Sequence, residues 1–234
     1  MKAFLLAAGE GRRLRPLTDS IPKCLVPIRG RPLLELWLEL LERNGVTDVL
    51  VNVHHAHEQV TAFLKSYRSS MSIATVYEDR LLGSAGTVLA NCSFVAGESS
   101  FLIVYADNLT NLKLRQMVTF HCQRRTPITI AVIRTDFPSG KGTVRLGRCG
   151  RVLQFAEKAE LPLSNVANGG VYVASRALFR YLTPPLSRRR EFDFGYDVFP
   201  QLAPNIAAYE VSDFLMDIGT PEAYDVAQRT WPGF

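Results

Sequence analysis

Between Gly9 and Lys23 the chain concentrates residues suited to a highly charged anion. Gly9 and Gly11 follow the apolar run Ala3 to Ala8, which reads as a buried strand. Lacking Cβ atoms, glycines accept φ > 0 and let main-chain N–H groups approach a ligand closely. Arg12, Arg13, Arg15 and Lys23 add four fixed positive charges. Backbone amides beside clustered cations meet the needs of a polyphosphate, because together they neutralise its charge. Two acids stand at the ends of other apolar runs. Asp107 follows Phe101 to Tyr105, and Asp217 follows Phe214 to Met216 and precedes a Gly-Thr-Pro turn. Two strand-end carboxylates can share a hard cation such as Mg²⁺, which completes its octahedron with water and phosphate oxygens. Such residues also cap helices and turns, and on residue type alone that reading stays open for each.

The glycine loop by itself does not choose among phosphate-binding motifs. A dinucleotide fingerprint wants a third glycine where Leu14 stands, and an acid where Val51-Asn52-Val53 has none. The Gly-Lys-Ser/Thr of a P-loop is absent. The longer pattern, Gly9-x-Gly11-x-Arg13-Leu14-x-Pro16-x-Thr18, then Pro22-Lys23 and Pro27-Ile28, resembles the signature of the sugar-1-phosphate nucleotidyltransferases. Within that family it is closest in feel to the mannose- and heptose-1-phosphate guanylyltransferases, and the resemblance runs from Ala3 to Ala223.

The resemblance implies an NTP and a sugar 1-phosphate as partners, with an NDP-sugar and pyrophosphate as products. It makes Arg13 and Lys23 the catalytic cations, and Asp107 and Asp217 the ligands of Mg²⁺. Leu6, Ala8, Gly9, Gly11, Arg12 and Asp107 fall on its nucleotide-binding positions. Glu78 to Thr87 resembles the family's base-recognition loop, which adds Glu78, Gly83, Ser84 and Gly86. Asn108, Gly142, Glu157, Lys158 and Asn168 match its sugar side. Glu157 and Asn168 would take sugar hydroxyls, Gly142 a main-chain contact near the sugar, and Lys158 the phosphate. Departures are modest: Arg12 replaces a common Ser or Thr, and Cys24 and Ala159 replace common prolines.

Glu78 also gives an expectation about the base. A carboxylate only accepts hydrogen bonds, and guanine offers two adjacent donors, N1–H and the 2-amino group. Uracil offers one donor flanked by carbonyls, and adenine and cytosine pair a donor with an unprotonated nitrogen. GTP is therefore the favoured nucleotide, with UTP or another NTP as the alternative. A phosphocholine-type cytidylyltransferase shares the glycine loop and Pro-Lys, but Gly142, Glu157 and Asn168 argue for a sugar. A non-catalytic nucleotide-sugar sensor should have lost one of Arg13, Lys23, Asp107 and Asp217, and all are present.

The elements that must hold these residues alternate. Helical patterns at Pro32 to Arg43, Glu58 to Tyr67, Thr87 to Asn91 and Leu112 to Arg124 separate strands at Val49 to Val53, Ser72 to Tyr77, Phe101 to Tyr105 and Ile128 to Ile133. This predicts an α/β fold: a doubly wound, mostly parallel sheet, Rossmann-like, with a small substrate-side β lobe. Such sheets bind ligands beyond the carboxyl ends of their strands, where Gly9 to Arg13 and Ala106-Asp107 fall. Lys141 to Leu146 and Val152 to Phe155 read as a hairpin, and Gly169 to Val173 as a buried strand. Phe192 to Leu202 reads as a helix that Asp193 can cap, and Pro221 to Thr230 as a terminal helix. The chain reads as one domain over 1–234. Residues 1–135 form its nucleotide-binding part, and 136–234 its sugar-binding, metal-completing part.

Composition bounds the rest. The 234 residues are 47% hydrophobic and 21% charged, ordinary for a globular chain with one sizeable core. The net charge of +5 is scattered apart from Arg12 to Arg15 and Arg188 to Arg190, with no basic stripe interleaved with aromatics. Phosphate-rich substrates account for that charge better than nucleic acid does. The Arg188 to Arg190 run reads as a solvated loop. No apolar run reaches membrane-span length and no signal peptide is visible, so no membrane partner is expected. Cys24, Cys92, Cys122 and Cys149 lack a C-x-x-C pair and read as the reduced thiols of a cytoplasmic protein. His54, His55 and His57 alternate faces at a strand end and do not form a metal spacing. The end at Phe234 leaves no space for a C-terminal left-handed β-helix, so acetyl transfer and hexapeptide trimerisation are not expected. A homodimer stays open.

Overall fold

A computed structural model describes residues 1–184 and 191–234, so the expected Arg188 to Arg190 loop lies outside the described residues. In chain order the strands are β1 (Lys2–Leu6), β2 (Pro27–Ile28), β3 (Arg31–Pro32), β4 (Asp48–Val53), β5 (Ser72–Tyr77), β6 (Ser100–Tyr105) and β7 (Asn108–Thr110). They continue as β8 (Ile128–Arg134), β9 (Gly142–Leu146), β10 (Val152–Glu157), β11 (Val166–Ser175), β12 (Ile206–Glu210) and β13 (Leu215–Asp217). The α-helices are α1 (Leu33–Arg43), α2 (His57–Ser66), α3 (Ser84–Ala90), α4 (Leu114–Arg124), α5 (Phe199–Leu202) and α6 (Pro221–Thr230). The chain divides into two compact units, one of Met1–Leu81, Ile103–Leu114 and Asp213–Phe234, the other of Leu82–Leu102 and Arg115–Ser212.

The first unit is a parallel α/β layer. β1 pairs with β4 from Lys2↔Asp48 to Leu6↔Asn52, and β4 pairs with β5 from Asp48↔Ser72 to Val53↔Tyr77, both parallel. Parallel strands need a crossover, and the helical stretches between them supply it. In α1, Leu33, Leu34, Leu36, Trp37, Leu38, Leu40 and Leu41 are all buried. At about 1.5–3 kcal/mol for each large apolar side chain, that face commits the helix to the core. Gly45, at φ +81°, ends it, and the Val46 N–H returns to the Leu41 carbonyl. Two short pairings are not visible as periodic patterns in the sequence: β2 with β3, and β7 with β13, both antiparallel.

The second unit is mixed. β11 runs antiparallel to β8, from Val166↔Arg134 to Ala174↔Ile128, with an irregularity between Asn168 and Tyr172. β9 and β10 form the expected hairpin, and Ala167↔Thr143 joins β11 to β9. β12, which is not among the elements expected from the sequence, lies parallel to β8. Around Phe199 the rings of Phe155, Tyr172 and Phe194 lie 5.1, 5.2 and 5.4 Å away, centroid to centroid. The expected helix over Phe192 to Leu202 is a wide turn, Phe194–Val198, leading into α5. Asp193 does cap it, accepting the Gly195 N–H at 2.8 Å.

Candidate active site

In the first unit, β1 ends at Leu6, whose carbonyl accepts the Ala106 N–H at 3.0 Å. The glycine loop and the Asp107 segment therefore leave the layer side by side. Gly11 has φ +66°, and a Cβ there would lie 2.9 Å from Thr18 Cγ2 and 3.0 Å from Lys23 Cβ. The position needs glycine twice over, for its conformation and for the passage of the Lys23 stem. Thr18 locks the turn by donating to the Gly11 carbonyl at 2.8 Å. Ala8 is buried beneath the loop, whereas Gly9 is open. Arg12 is exposed and pairs with Glu10, whose carboxyl it holds below the usual carboxylate range through a hydrogen bond.

Lys23 is buried, and its Nζ lies 2.8 Å from Asp107 Oδ2 and 3.8 Å from Asp217 Oδ1. The register of β7 and β13 makes this possible. Asn108 pairs with Asp217, and the Ile218 N–H donates to the Asp107 carbonyl at 3.2 Å. Buried Trp37 pins the same strand, its Nε1 donating to the Asn108 carbonyl at 2.7 Å. Arg13 joins from the loop. A Cβ on Gly219 would lie 2.9 Å from both Arg13 Nη2 and Asp217 Oδ1. Burial alone would raise the Asp107 carboxyl, but the Lys23 charge and hydrogen bond, with Arg13 behind them, outweigh it and hold the group below its ordinary value. The result is two carboxylates and two cations at one point. Among the described residues no three His, Cys, Asp or Glu side chains converge as a metal cluster. His54 Nδ1 lies 2.7 Å from the Glu78 carbonyl, and the His57 ring packs on Tyr77.

Glu78 continues β5 and is buried. Asn52 Nδ2 donates to Glu78 Oε1 at 3.0 Å, and Asn52 Oδ1 accepts the Ala7 N–H at 2.8 Å. Asn52 thus ties Glu78 to the start of the glycine loop. Its signal in the sequence is a lone amide, Asn52, within an apolar strand.

The remaining positions belong to the second unit. Gly83 adopts φ +82° and ψ 164°, and a Cβ there would come 2.5 Å from the Phe192 carbonyl oxygen. Glycine is required at 83 because a neighbouring backbone fills the space. The Gly86 N–H donates to that same carbonyl at 2.9 Å, and Ser84 Oγ donates to Asp193 at 2.6 Å. Glu157 faces Gly142 across the β9–β10 pairing, and a Cβ at either Gly142 or Gly195 would collide with its carboxylate. Two missing side chains make the slot that holds it, and Gly195 had no legible signal. Burial, with Asp193 adding to it and Lys158 opposing, pushes the Glu157 carboxyl up. Lys158, at φ +46°, holds its Nζ 4.0 Å from Glu157 Oε1. Asn168 Nδ2 donates to the Tyr172 hydroxyl at 2.8 Å, and the irregularity in β11 follows directly after it.

A family model described as "Nucleotidyl transferase" matches residues 2–231. A UTP–glucose-1-phosphate uridylyltransferase of Synechocystis sp. is 32% identical over 98% of this chain and 63% of its own. The mannose-1-phosphate guanylyltransferase catalytic subunit beta of Drosophila melanogaster is 31% identical over 95% of this chain and 60% of its own. The chain thus spans about three-fifths of the length of these curated relatives. Among solved structures, HddC from Yersinia pseudotuberculosis complexed with GMP-PN superposes with a TM-score of 0.80 at 22% identity, covering 98% of this chain and 99% of that one. A putative glucose-1-phosphate thymidylyltransferase from Bacillus anthracis gives 0.86 at 23%, covering 98% and 94%. Both share the fold.

Proposed function

We propose, from the premise that this chain belongs to the nucleotidyl transferase family, that it transfers a nucleotidyl group from an NTP to a sugar 1-phosphate, giving an NDP-sugar and pyrophosphate. The observation that supports this most is the Lys23 ammonium set against Asp107 and Asp217, with Arg13 beside them. A phosphate oxygen of the sugar phosphate attacks the α-phosphorus in line, and the bond to the bridging oxygen of the β-phosphate breaks. The nucleophile is already anionic, so no general base is required, and catalysis reduces to alignment and charge neutralisation. Lys23 neutralises the α-phosphate and the incoming phosphate, overcoming repulsion between two anions. Arg13 takes the charge that develops on the leaving pyrophosphate. Gly9 and Gly11 allow the loop backbone close to the triphosphate.

Asp107 and Asp217 fit a magnesium ion: both offer hard oxygen donors, and both already converge on one cation, Lys23. Mg²⁺ held there supplies charge neutralisation to the phosphates. In this reading residues 1–135 serve the nucleotide, while 136–234 serve the sugar and complete the metal site. Glu157 and Asn168 take sugar hydroxyls, Lys158 the sugar phosphate. Gly83, Ser84 and Gly86 shape the base loop.

GTP is the favoured nucleotide. Glu78 is buried where Asn52 Nδ2 donates to its Oε1, and a carboxylate, which only accepts hydrogen bonds, matches guanine's paired donors. The relative named a mannose-1-phosphate guanylyltransferase agrees with this choice, and a mannose- or heptose-type 1-phosphate is the sugar substrate favoured here for this chain. The uridylyltransferase relative, equally similar, keeps UTP with glucose 1-phosphate as a second reading. The four cysteines all stand as free thiols, consistent with a reducing cytoplasm. The test is a matrix of four NTPs against sugar 1-phosphates, scored by the mass of the NDP-sugar. No product in any cell sinks the reaction, and a better UTP row sinks the base assignment alone.

A further inference from the structure

The second unit contains an open cavity of about 520 Å³, within the range of small-molecule sites. Its wall includes Pro127 and Ser175, next to the Ile128↔Ala174 pair where β8 begins and β11 ends. Asn168 lies toward the other end of β11, roughly 20 Å away at the rise of an extended strand. The cavity is therefore separate from the Gly142–Glu157–Asn168 group.

The chemistry of its wall is one-sided. Among the described residues lining it there is one arginine, Arg125, and no acid. Arg125 is exposed and makes no ion pair among the described residues. Thr126 and Ser175 spend their hydroxyls on the Ile128 and Pro127 carbonyls. The side chains of Ser99, Ser100, Tyr181 and Asn205 make no hydrogen bond with a described residue.

His121 supplies the second, independent observation. It is only 4% exposed and lines this cavity. Its Nδ1 lies 2.9 Å from Thr129 Oγ1, while its Nε2 has no hydrogen-bond partner among the described residues. Burial pushes its pKa down to about 4, so the ring is neutral near pH 7. In the tautomer where the Thr129 hydroxyl donates to Nδ1, Nε2 carries the proton and offers an N–H to a ligand. Nε2 is not sealed from solvent, so its N–H is open to a ligand oxygen in the cavity.

We propose that this cavity binds a small phosphate-bearing, hydroxyl-rich molecule of the sugar-phosphate class, with Arg125 on the phosphate and His121 Nε2–H as a neutral donor. A guanidinium fork with several hydroxyls suits a three-oxygen anion better than a lone cation would. The unused Ser99, Ser100, Tyr181 and Asn205 groups suit the hydroxyls of its polyol part.

The experiment follows the histidine ring signals of the full chain by ¹H–¹⁵N correlation NMR, because His121 lines this cavity and reports its occupancy directly. The probes are fructose 6-phosphate, inorganic phosphate and unphosphorylated fructose. Fructose 6-phosphate is expected to shift the His121 signals saturably, and Arg125→Asn to weaken that binding by about tenfold or more. Asparagine tolerates the φ of +52° at this position, so the variant keeps the backbone. The proposal is overturned if fructose 6-phosphate leaves the His121 signals in place up to about 10 mM. Unchanged binding in Arg125→Asn, or equal binding of plain fructose, overturns the phosphate contact. Equal affinity for inorganic phosphate overturns recognition of the sugar part.

Discussion

Lys23→Met separates the catalytic role proposed for the Lys23 charge from its part in the fold. The methionine keeps most of the apolar stem that threads past Gly11 and removes only the ammonium. That ammonium lies 2.8 Å from Asp107 Oδ2, and the Lys23 side chain is 9% exposed. Cutting one partner of a fully buried pair costs about 3–5 kcal/mol. The Asp107 side chain, however, is 38% exposed, so water screens much of its charge, and about 1–2 kcal/mol is the better expectation. For a chain of this size that lowers Tm by roughly 2–8 °C. If the site transfers a nucleotidyl group as proposed, removing this preorganised charge costs more, about a hundredfold or greater in kcat. The assay is pyrophosphate release at saturating NTP and sugar 1-phosphate, beside a thermal melt. A folded variant within about tenfold of wild-type kcat refutes the role given to Lys23, because its charge would then be structural.

Four further outcomes are expected. Asp217→Ala should abolish divalent-metal-dependent turnover, and EDTA should do the same to the wild type; full activity after chelation removes the shared cation site. Glu78→Gln should reduce the preference for GTP over UTP by about tenfold or more in kcat/KM, and an unchanged ratio assigns base reading elsewhere. Gly83→Ala forces a Cβ to 2.5 Å from a backbone oxygen at φ +82°, and should cost at least about 3 kcal/mol, or roughly 6 °C in Tm; a variant that melts like wild type contradicts the strap between Gly83 and Phe192. His121 titrates at about 4 when folded against about 6.5 when unfolded, so between those values the unfolded chain binds more protons. Its share of the stability is complete above pH 6.5 and falls away toward pH 4, by about 3 kcal/mol, and replacing His121 with Gln should flatten that part of the denaturation profile.

Local spacing made much of this protein legible. Gly11, Thr18 and Lys23 lie within one short loop, so their constraints are written in adjacent residues, and the apolar face of α1 announces its own burial. The parallel pairing of β1, β4 and β5 follows from strands separated by helices, because such strands have few other ways to pair. What the sequence could not state is register between distant segments. The antiparallel step Asn108↔Asp217 carries Asp217 to Lys23, yet β7 and β13 are three residues each, too short for any periodicity. Asn52 reaches Glu78 only because β4 and β5 pair in one register, where a slip of one residue would turn its side chain to the other face. The slot around Glu157 depends on two absent side chains, at Gly142 and Gly195, brought together from separate elements. Residue types offered the charges. Long-range strand pairing, which no local pattern encodes, decided which of them meet.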